Sequence, residues 1–274
     1  MDGLVTTEWL AGASDVLILD ATYTSTIPGA PPSDPRAAFD AGHIPGALFL
    51  DLDTLVDATN PLPSTMPSPA HIAERLRALG ARPDTQIILY DDSPHKTACR
   101  AWVVLRTAGA EAAILDGGLA KWKAEGRALS SDTATVSEGA LEVRAPLMRV
   151  RSLEEMRGIA DQVVDARSAA RFTGQEADPR AEVAAGHMPG ARNIPYVKFY
   201  RPDGTWKSPD EIAAIFDEVG IDPAKPLTAT CGSGITASVI VFAAHLLGHD
   251  AALYDGSWTE WGAQPDTAKA LGPA

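Results

Sequence analysis

The chain has 274 residues, 45% hydrophobic and 22% charged, a composition that is typical of globular domains and excludes a disordered polyelectrolyte. Lys and Arg number 23 against 36 Asp and Glu, and the net charge of −13 argues against a nucleic-acid or anionic membrane partner. The two cysteines, Cys99 and Cys231, are too few for a disulfide framework. The length fits one large domain or two of about 130 residues.

The start of the chain predicts no targeting segment. It has no basic residue before Arg36, and the longest apolar run is far shorter than the ~20 residues that span a bilayer. We therefore expect no membrane partner. Because cysteine is scarce, a reducing compartment is favoured, and the predicted localisation is cytoplasmic.

The first half of the chain alternates short apolar runs with segments of helical periodicity. These patterns predict buried strands at 16–19, 86–90 and 112–115, and helices at 70–79 and 97–107. Gly80 and Gly109 follow the two helices, where C-cap glycines are common. Such alternation is typical of a parallel sheet flanked by helices.

One motif of this half returns in the second half. Residues 41–47 read Ala-Gly-His-Ile-Pro-Gly-Ala, and residues 185–191 differ from them only by Met in place of Ile. The neighbouring features repeat in the same order: Asp-Ala closes an apolar run at Asp20 and Asp165, and Asp-Gly precedes a Trp at Asp116 and Asp255. The sequence therefore predicts a tandem duplication of one domain. The predicted limits are 1–129 for domain 1, 130–145 for a polar linker and 146–274 for domain 2.

The second half has the same alternation. It predicts strands at 163–164, 227–230 and 251–254, and helices at 208–219 and 234–247. The predicted fold class is therefore α/β, with each domain a mostly parallel sheet flanked by helices. Ligands of such sheets bind at the carboxyl ends of the strands.

The segment from Thr230 to Ser238 carries the strongest chemical pattern. A predicted strand ends there, two glycines allow a tight loop, and a predicted helix begins. Backbone N–H groups in such a loop, together with a helix N-terminus, stabilise an anion or a thiolate. We therefore expect Cys231 to be a nucleophile, the alternative being a buried structural cysteine.

The equivalent turn of domain 1 lacks this pattern. It has Asp91 near the cysteine position and Pro94, which removes an N–H donor. One active site, in domain 2, is therefore predicted. Cys99 falls inside a predicted helix and is expected to serve packing.

Two longer motifs carry a family resemblance over nearly the whole chain. Residues 39–50, with Phe39 and His43-Ile44-Pro45-Gly46-Ala47, and residues 251–261, with Asp255-Gly256-Ser257-Trp258, resemble the two motifs of the two-domain rhodanese-family sulfurtransferases. The resemblance implies that Cys231 accepts sulfur from a small-molecule donor and becomes a persulfide. A thiol, thioredoxin or cyanide then removes that sulfur, and no cofactor is implied.

The loop distinguishes two donor classes within that family. Thiosulfate sulfurtransferases commonly carry basic residues directly after the cysteine, where this chain has Gly232 and Ser233. The loop instead resembles the Cys-Gly-Ser-Gly-Val-Thr-Ala of 3-mercaptopyruvate sulfurtransferases. The substrate-binding residues implied in the loop are Gly232, Ser233, Gly234, Ile235 and Thr236. Thiosulfate remains the alternative donor.

Two arginines are implied by the same resemblance. Arg171 and Arg180 match those that hold the keto-acid carboxylate in the 3-mercaptopyruvate enzymes, and a guanidinium group pairs bidentately with a carboxylate. The alternative is that they are solvated or pair with neighbouring acids, namely Glu176, Asp178 or Glu182.

A proposed Ser–His–Asp relay of these enzymes is only partly matched. Ser233 and Asp53 fall at matching positions and are candidate relay residues, with Asp53 expected to reach across from domain 1. The histidine is missing, because Ser64-Thr65-Met66-Pro67 occupies that stretch.

The remaining conspicuous residues are expected to be structural. His43 and His187 occur in both copies, although only one copy has the loop cysteine, so we expect them to bind their own turns rather than a metal. Asp20 and Asp165 are expected to accept loop N–H groups at strand ends. Trp258 and Trp261 are expected to be core or interdomain packing residues.

Two other functions stay open as remote alternatives. A cysteine phosphatase would have Arg at position 237, where this chain has Ala237. A non-catalytic binding module would be more plausible if domain 2 lacked Cys231.

Overall fold

Each half of the chain folds around a parallel five-stranded sheet in the computed structural model, which describes residues 3–24 and 33–273. The first half forms most of a compact unit, called unit 1, and its strands are β1 (Leu4–Val5), β2 (Val16–Asp20), β3 (Leu48–Phe49), β4 (Gln86–Tyr90) and β5 (Ala112–Leu115). Their order is β1-β5-β4-β2-β3, and every pair is parallel. The flanking helices are α1 (Thr7–Gly12), α2 (Pro35–Ala41), α3 (Pro69–Ala78), α4 (Thr97–Thr107) and α5 (Gly118–Ala124).

The second half forms most of the other compact unit, called unit 2, which repeats this topology. Its strands are β6 (Val150–Arg151), β7 (Gln162–Asp165), β8 (Arg192–Asn193), β9 (Leu227–Thr230) and β10 (Ala252–Tyr254), in the order β6-β10-β9-β7-β8. Its helices are α6 (Leu153–Arg157), α7 (Ala169–Thr173), α8 (Pro209–Glu218), α9 (Ala237–Leu246) and α10 (Ser257–Ala263), with a 3-10 turn at Tyr196–Phe199. The α/β fold class and the tandem duplication are therefore confirmed.

The predicted central strands and long helices are confirmed to within about one residue at their ends, with one larger correction. The helix expected to begin at Gly234 begins at Ala237. Gly234 has φ of +77°, a left-handed conformation that glycine adopts without strain and that cannot continue a helix. The residues after Cys231 therefore form a longer loop than predicted.

Helix α9 fixes the end of this loop in the core of unit 2. Its residues from Ala237 to Ala244 are all buried, which is typical of a helix that is apolar around its whole circumference. Strand β9 is buried along its length because helices cover both faces of a parallel sheet. The loop is thus held between two buried elements.

Contacts divide the chain slightly differently from the predicted domains. Unit 1 includes Met66–Leu147 and Arg201–Trp206, and unit 2 includes Asn60–Thr65 and Met148–Tyr200. Part of the predicted linker is hydrogen-bonded to unit 1. Gly139 N donates to Arg77 O at 2.8 Å, and Ala140 N donates to Ala81 O at 2.9 Å. The domain limits at 129 and 146 stay predictions.

The two repeated histidines are structural, as predicted. His43 Nδ1 lies 2.8 Å from Phe39 O and its ring stacks on Phe39, and His187 Nδ1 lies 2.9 Å from Phe172 O and stacks on Phe172. Both rings are buried. Each histidine therefore ties its turn to the preceding helix of its own unit.

The aspartates at the strand ends also accept loop N–H groups, as predicted. Asp20 Oδ1 accepts from Thr22 N at 2.9 Å, and Asp165 Oδ1 accepts from Arg167 N at 2.9 Å. Asp165 has a further role, because it forms a buried ion pair with the Arg167 guanidinium group.

The glycines before these histidines differ in their tolerance of a side chain. We expect Gly186→Ala to lower the free energy of unfolding by about 2–4 kcal/mol, because φ is +111° and the new methyl group would clash with Ala270 O. The matched control is Gly42→Ala, where φ is 173° and the nearest atom, Leu129 Cδ1, lies 3.4 Å from the added carbon. Thermal unfolding of both variants measures the difference. Equal losses would contradict this account.

The described helices also bear on membrane association. In residues 3–24 and 33–273, none is both long enough and apolar enough to cross a membrane.

Candidate active site

Cys231 directly follows β9, and both its backbone N–H group and its carbonyl oxygen form hydrogen bonds to residues at the start of α10. Its N–H donates to Ser257 Oγ at 3.1 Å, and its carbonyl oxygen accepts from Trp258 N at 3.0 Å. The residue is only 1% exposed. The beginning of α10 therefore fixes the position of the cysteine at the carboxyl edge of the sheet.

The next residue of the loop is held by the same helix. Gly232 O accepts from Thr259 N at 2.9 Å and from Thr259 Oγ1 at 2.6 Å. Ser257 donates through Oγ to Tyr254 O at 2.8 Å, and its φ of 50° turns the chain sharply into α10. Sequence reasoning missed Ser257 and Thr259 as loop-holding residues, although the Asp-Gly-Ser-Trp motif contains one of them.

The tryptophans of this helix serve the core, as predicted. Trp258 and Trp261 are buried in an apolar cluster with Phe172 and Tyr254. Trp258 Nε1 also donates to Ala184 O at 2.8 Å, which satisfies its polar atom inside the core.

The rest of the loop offers unused backbone donors. Within the described part of the chain, the N–H groups of Gly232, Ser233, Ile235 and Thr236 donate to no partner. Thr236, the residue before α9, likewise caps the helix with no side-chain hydrogen bond to a described residue. Such donors before a helix stabilise a negative charge. This loop is therefore the candidate anion cradle, and it contains the predicted substrate-binding residues.

The two predicted arginines meet at one carboxylate. Arg171 Nη2 lies 2.5 Å from Asp178 Oδ2, and Arg180 Nη1 lies 3.3 Å from Asp178 Oδ1. The pairing with Asp178, one of the alternatives that the sequence left open, is thus present in the structure. Each guanidinium group has five N–H donors, so both can bind a second carboxylate while they contact Asp178.

Arg171 connects this ion cluster to the cysteine loop. A Cβ atom at position 232 would lie 3.6 Å from Arg171 Nη2 and 3.7 Å from Nη1, so the guanidinium group is next to Gly232. Arg171 Nε is buried and has no hydrogen-bond partner among the described residues. A positive group with unused donors therefore lies beside the residue that follows Cys231.

Tyr196 is a site residue that sequence reasoning missed. Its pKa is raised above the ordinary value of 10.0, first by burial and second by the negative charge of Cys231. A thiolate at Cys231 thus disfavours ionisation of this phenol. No repeated motif singles it out in the sequence.

The candidate relay residues are placed within their own units. Ser233 is buried in the cysteine loop of unit 2, whereas Asp53 is exposed in a turn of unit 1. Ser64 and Thr65, in the stretch that lacks the expected histidine, are buried and belong to unit 2. A relay role for Asp53 and Ser233 stays a prediction.

The equivalent loop of unit 1 contains its own negative group. Asp91 O accepts from Leu119 N at 3.1 Å, as Cys231 O accepts from Trp258 N, so Asp91 takes the cysteine position. The Asp91 carboxylate accepts from Ser93 N at 2.9 Å and from Ala98 N at 2.7 Å. One amide of this loop and one of the first turn of α4 are therefore already occupied by an internal anion.

The titration of Asp91 gives a test of this arrangement. Burial raises the pKa of Asp91 from 3.8 to about 6. The two amide hydrogen bonds and the charge of Lys96 lower this pKa, but burial has the larger effect. Between those values the folded state binds more protons than the unfolded state, so the contribution of Asp91 to stability falls as pH rises from 3.8 to about 6.

We therefore expect the free energy of unfolding of Asp91→Asn, relative to that of the parent protein, to increase when the pH is raised from 4 to 7. The increase is up to about 3 kcal/mol for the full pKa shift. Thermal unfolding of both proteins at the two pH values measures the change. A stability difference that does not depend on pH would contradict the buried carboxylate.

The other cysteine, Cys99, is buried inside α4, where packing was predicted for it.

Comparison with known proteins agrees with this geometry. The rhodanese-like domain family matches residues 8–125 and 150–264. The 3-mercaptopyruvate sulfurtransferase of Escherichia coli strain K12 is 38% identical over 268 residues, which cover 94% of each chain. The thiosulfate sulfurtransferase of Gallus gallus is 37% identical over 94% of this chain and 92% of its own.

A solved structure has the same fold over nearly the whole chain. SseA from Escherichia coli, described with the rhodanese fold and the mechanism of 3-mercaptopyruvate sulfotransferases, matches with a TM-score of 0.82 at 35% identity. The match covers 94% of this chain and 99% of SseA. The chain therefore belongs to the rhodanese family and contains two rhodanese-like domains in tandem.

Proposed function

We propose that this protein is a sulfurtransferase that moves sulfane sulfur from 3-mercaptopyruvate, through a persulfide on Cys231, to a thiol or cyanide. The observation that carries the proposal is the arrangement around Cys231, where a cradle of unused amides precedes α9 and Arg171 lies beside Gly232. A cysteine in such a cradle is suited to hold a charged sulfur adduct.

In the first step the Cys231 thiolate attacks the sulfur of 3-mercaptopyruvate. A sulfur–sulfur bond forms, the carbon–sulfur bond breaks, and its electron pair leaves with carbon as the enolate of pyruvate. The enolate then takes a proton and becomes pyruvate. The loop amides stabilise the negative charge on the transferred sulfur, and Arg171 and Arg180 bind the carboxylate of the donor.

In the second step an acceptor removes the outer sulfur. A thiolate or cyanide attacks it, the sulfur–sulfur bond breaks, and Cys231 leaves again as the thiolate. The product is a new persulfide or thiocyanate. A small thiol or thioredoxin is the proposed acceptor, and the proposed location is cytoplasmic, where such thiols stay reduced.

The donor assignment rests on the residues after the cysteine. Gly232 and Ser233 are neutral, so the charge of the site comes from the two arginines and Asp178. Thiosulfate is the alternative donor, since the Gallus gallus relative at 37% identity is a thiosulfate sulfurtransferase. With thiosulfate the same thiolate would attack the outer sulfur, and sulfite would leave.

Steady-state assays with both donors test the proposal. The reduced protein is supplied with 3-mercaptopyruvate or thiosulfate, and cyanide or a dithiol is the acceptor. We expect a higher kcat/KM with 3-mercaptopyruvate. A higher kcat/KM with thiosulfate would support the alternative donor, and no transfer from either donor would contradict the proposed function.

A cysteine phosphatase and a non-catalytic binding module are the two remaining alternatives, and both would transfer no sulfur in these assays. Ala237 stands where a cysteine phosphatase needs its Arg, so we expect no hydrolysis of a phosphate ester. A binding module would transfer no sulfur although Cys231 is intact.

A further inference from the structure

The two arginines of the site contact a common third residue, Asp178, which takes no part in the sulfur-transfer steps. Asp178 is 1% exposed, whereas Arg171 and Arg180 keep 19% and 17% of their side chains exposed. Its two carboxylate oxygens contact different guanidinium groups, Oδ2 that of Arg171 and Oδ1 that of Arg180. The carboxylate is thus the buried centre of the cluster.

Asp178 is also fixed to the backbone beside it. Its Oδ1 accepts from Arg180 N at 3.0 Å, which locks the turn between the acid and the second arginine. Arg171 comes from α7, so without Asp178 the two guanidinium groups would have no common anchor and would repel each other. A buried carboxylate between two cations removes that repulsion and fixes the direction of both side chains.

The charge of the cluster matches one kind of donor. Two guanidinium groups and one carboxylate leave a single positive charge beside Gly232. 3-Mercaptopyruvate brings one carboxylate, whereas thiosulfate is a dianion. A fixed pair of guanidinium forks also suits a planar carboxylate better than a tetrahedral sulfur group.

We infer that Asp178 is a positioning residue that sets the donor preference, by holding Arg171 and Arg180 in one geometry and limiting the positive charge of the pocket. The inference rests on the proposed function, because it concerns the donor that the same site accepts. It assigns no contact between Asp178 and the reacting sulfur.

The test is Asp178→Asn, which keeps the shape and one acceptor but removes the charge. We expect the ratio of kcat/KM for 3-mercaptopyruvate to kcat/KM for thiosulfate to fall about tenfold or more. The fall should come from a higher KM for 3-mercaptopyruvate, with an equal or lower KM for thiosulfate and little change in kcat. A merely structural role would lower both activities together and leave the ratio unchanged.

The matched control is Asp161→Asn. Asp161 also pairs with an arginine, Arg151 at 2.5 Å, but it lies directly before β7, at the opposite edge of the sheet from Cys231. The substitution removes the same charge from the same unit. We expect the donor ratio of this variant to equal that of the parent protein.

A second variant decides the matter if Asp178→Asn does not fold. Asp178→Glu keeps the charge but displaces both guanidinium groups by the length of one methylene group, so the ratio should fall by a smaller factor. An unchanged ratio in the folded variant would overturn the inference. If the parent protein transfers sulfur and only the ratio fails to change, the proposed function stands and the role of Asp178 falls. If the parent protein transfers none, both fall.

Discussion

Replacing Cys231 by Ser is expected to lower sulfur transfer by at least about a thousandfold with either donor, because a hydroxyl group cannot accept and release sulfane sulfur. The fold should survive, since Ser differs from Cys by one atom and the backbone bonds of residue 231 do not involve the side chain. Turnover of 3-mercaptopyruvate and thiosulfate, measured beside circular dichroism, gives the result.

The matched control is Cys99→Ala. Cys99 is buried inside α4 of unit 1, so its loss should cost some stability but no transfer. Activity that persists in Cys231→Ser and disappears in the folded Cys99→Ala protein would reverse the assignment of the two cysteines.

Arg180→Ala is the second substitution with a large expected effect. We expect KM for 3-mercaptopyruvate to rise roughly tenfold to a hundredfold, which is the loss of about 1.5–3 kcal/mol for a hydrogen bond to a charged group. The KM for thiosulfate should change far less, because thiosulfate has no planar carboxylate for the guanidinium fork. Steady-state kinetics with both donors measure the split.

The control for this variant is Arg192→Ala, which removes an exposed arginine from β8 of the same unit. It should leave both KM values unchanged. If Arg180→Ala raises the two KM values equally, Arg180 does not recognise the carboxylate and contributes only general positive charge.

The central strands of both sheets could be predicted because their apolar runs are long enough to show burial. Strands such as β3 and β8 were missed, since each has two residues and shows no periodicity. The start of α9 was also wrong, because local propensity does not reveal that Gly234 adopts a left-handed conformation. These elements depend on tertiary contacts more than on local pattern.

The candidate site was predicted in the same uneven way. Cys231 and its glycines form one continuous motif, so the sequence points to them directly. Ser257 and Thr259 hold the loop from α10, and although Ser257 lies in the Asp-Gly-Ser-Trp motif, the sequence does not show that either residue contacts the loop. Asp178 appeared only as one of several acids beside two arginines, and its position between them is a property of the fold.

The two copies of the domain differ in the loop that follows the central strand. Asp91 was expected only near the cysteine position, and the carbonyl contact to Leu119 identifies it as the equivalent of Cys231. Its carboxylate accepts from Ser93 N, and the equivalent amide of the second loop, Ser233 N, donates to no described residue. One duplicated scaffold thus supports a filled loop in unit 1 and an open loop in unit 2.

The most direct test of a persulfide on Cys231 is mass spectrometry of the protein after incubation with 3-mercaptopyruvate in the absence of an acceptor. We expect one added sulfur atom on the peptide that contains Cys231, and its removal when cyanide or a thiol is supplied. Turnover without added sulfur on Cys231, or added sulfur on Cys99 instead, would contradict a persulfide carried by Cys231.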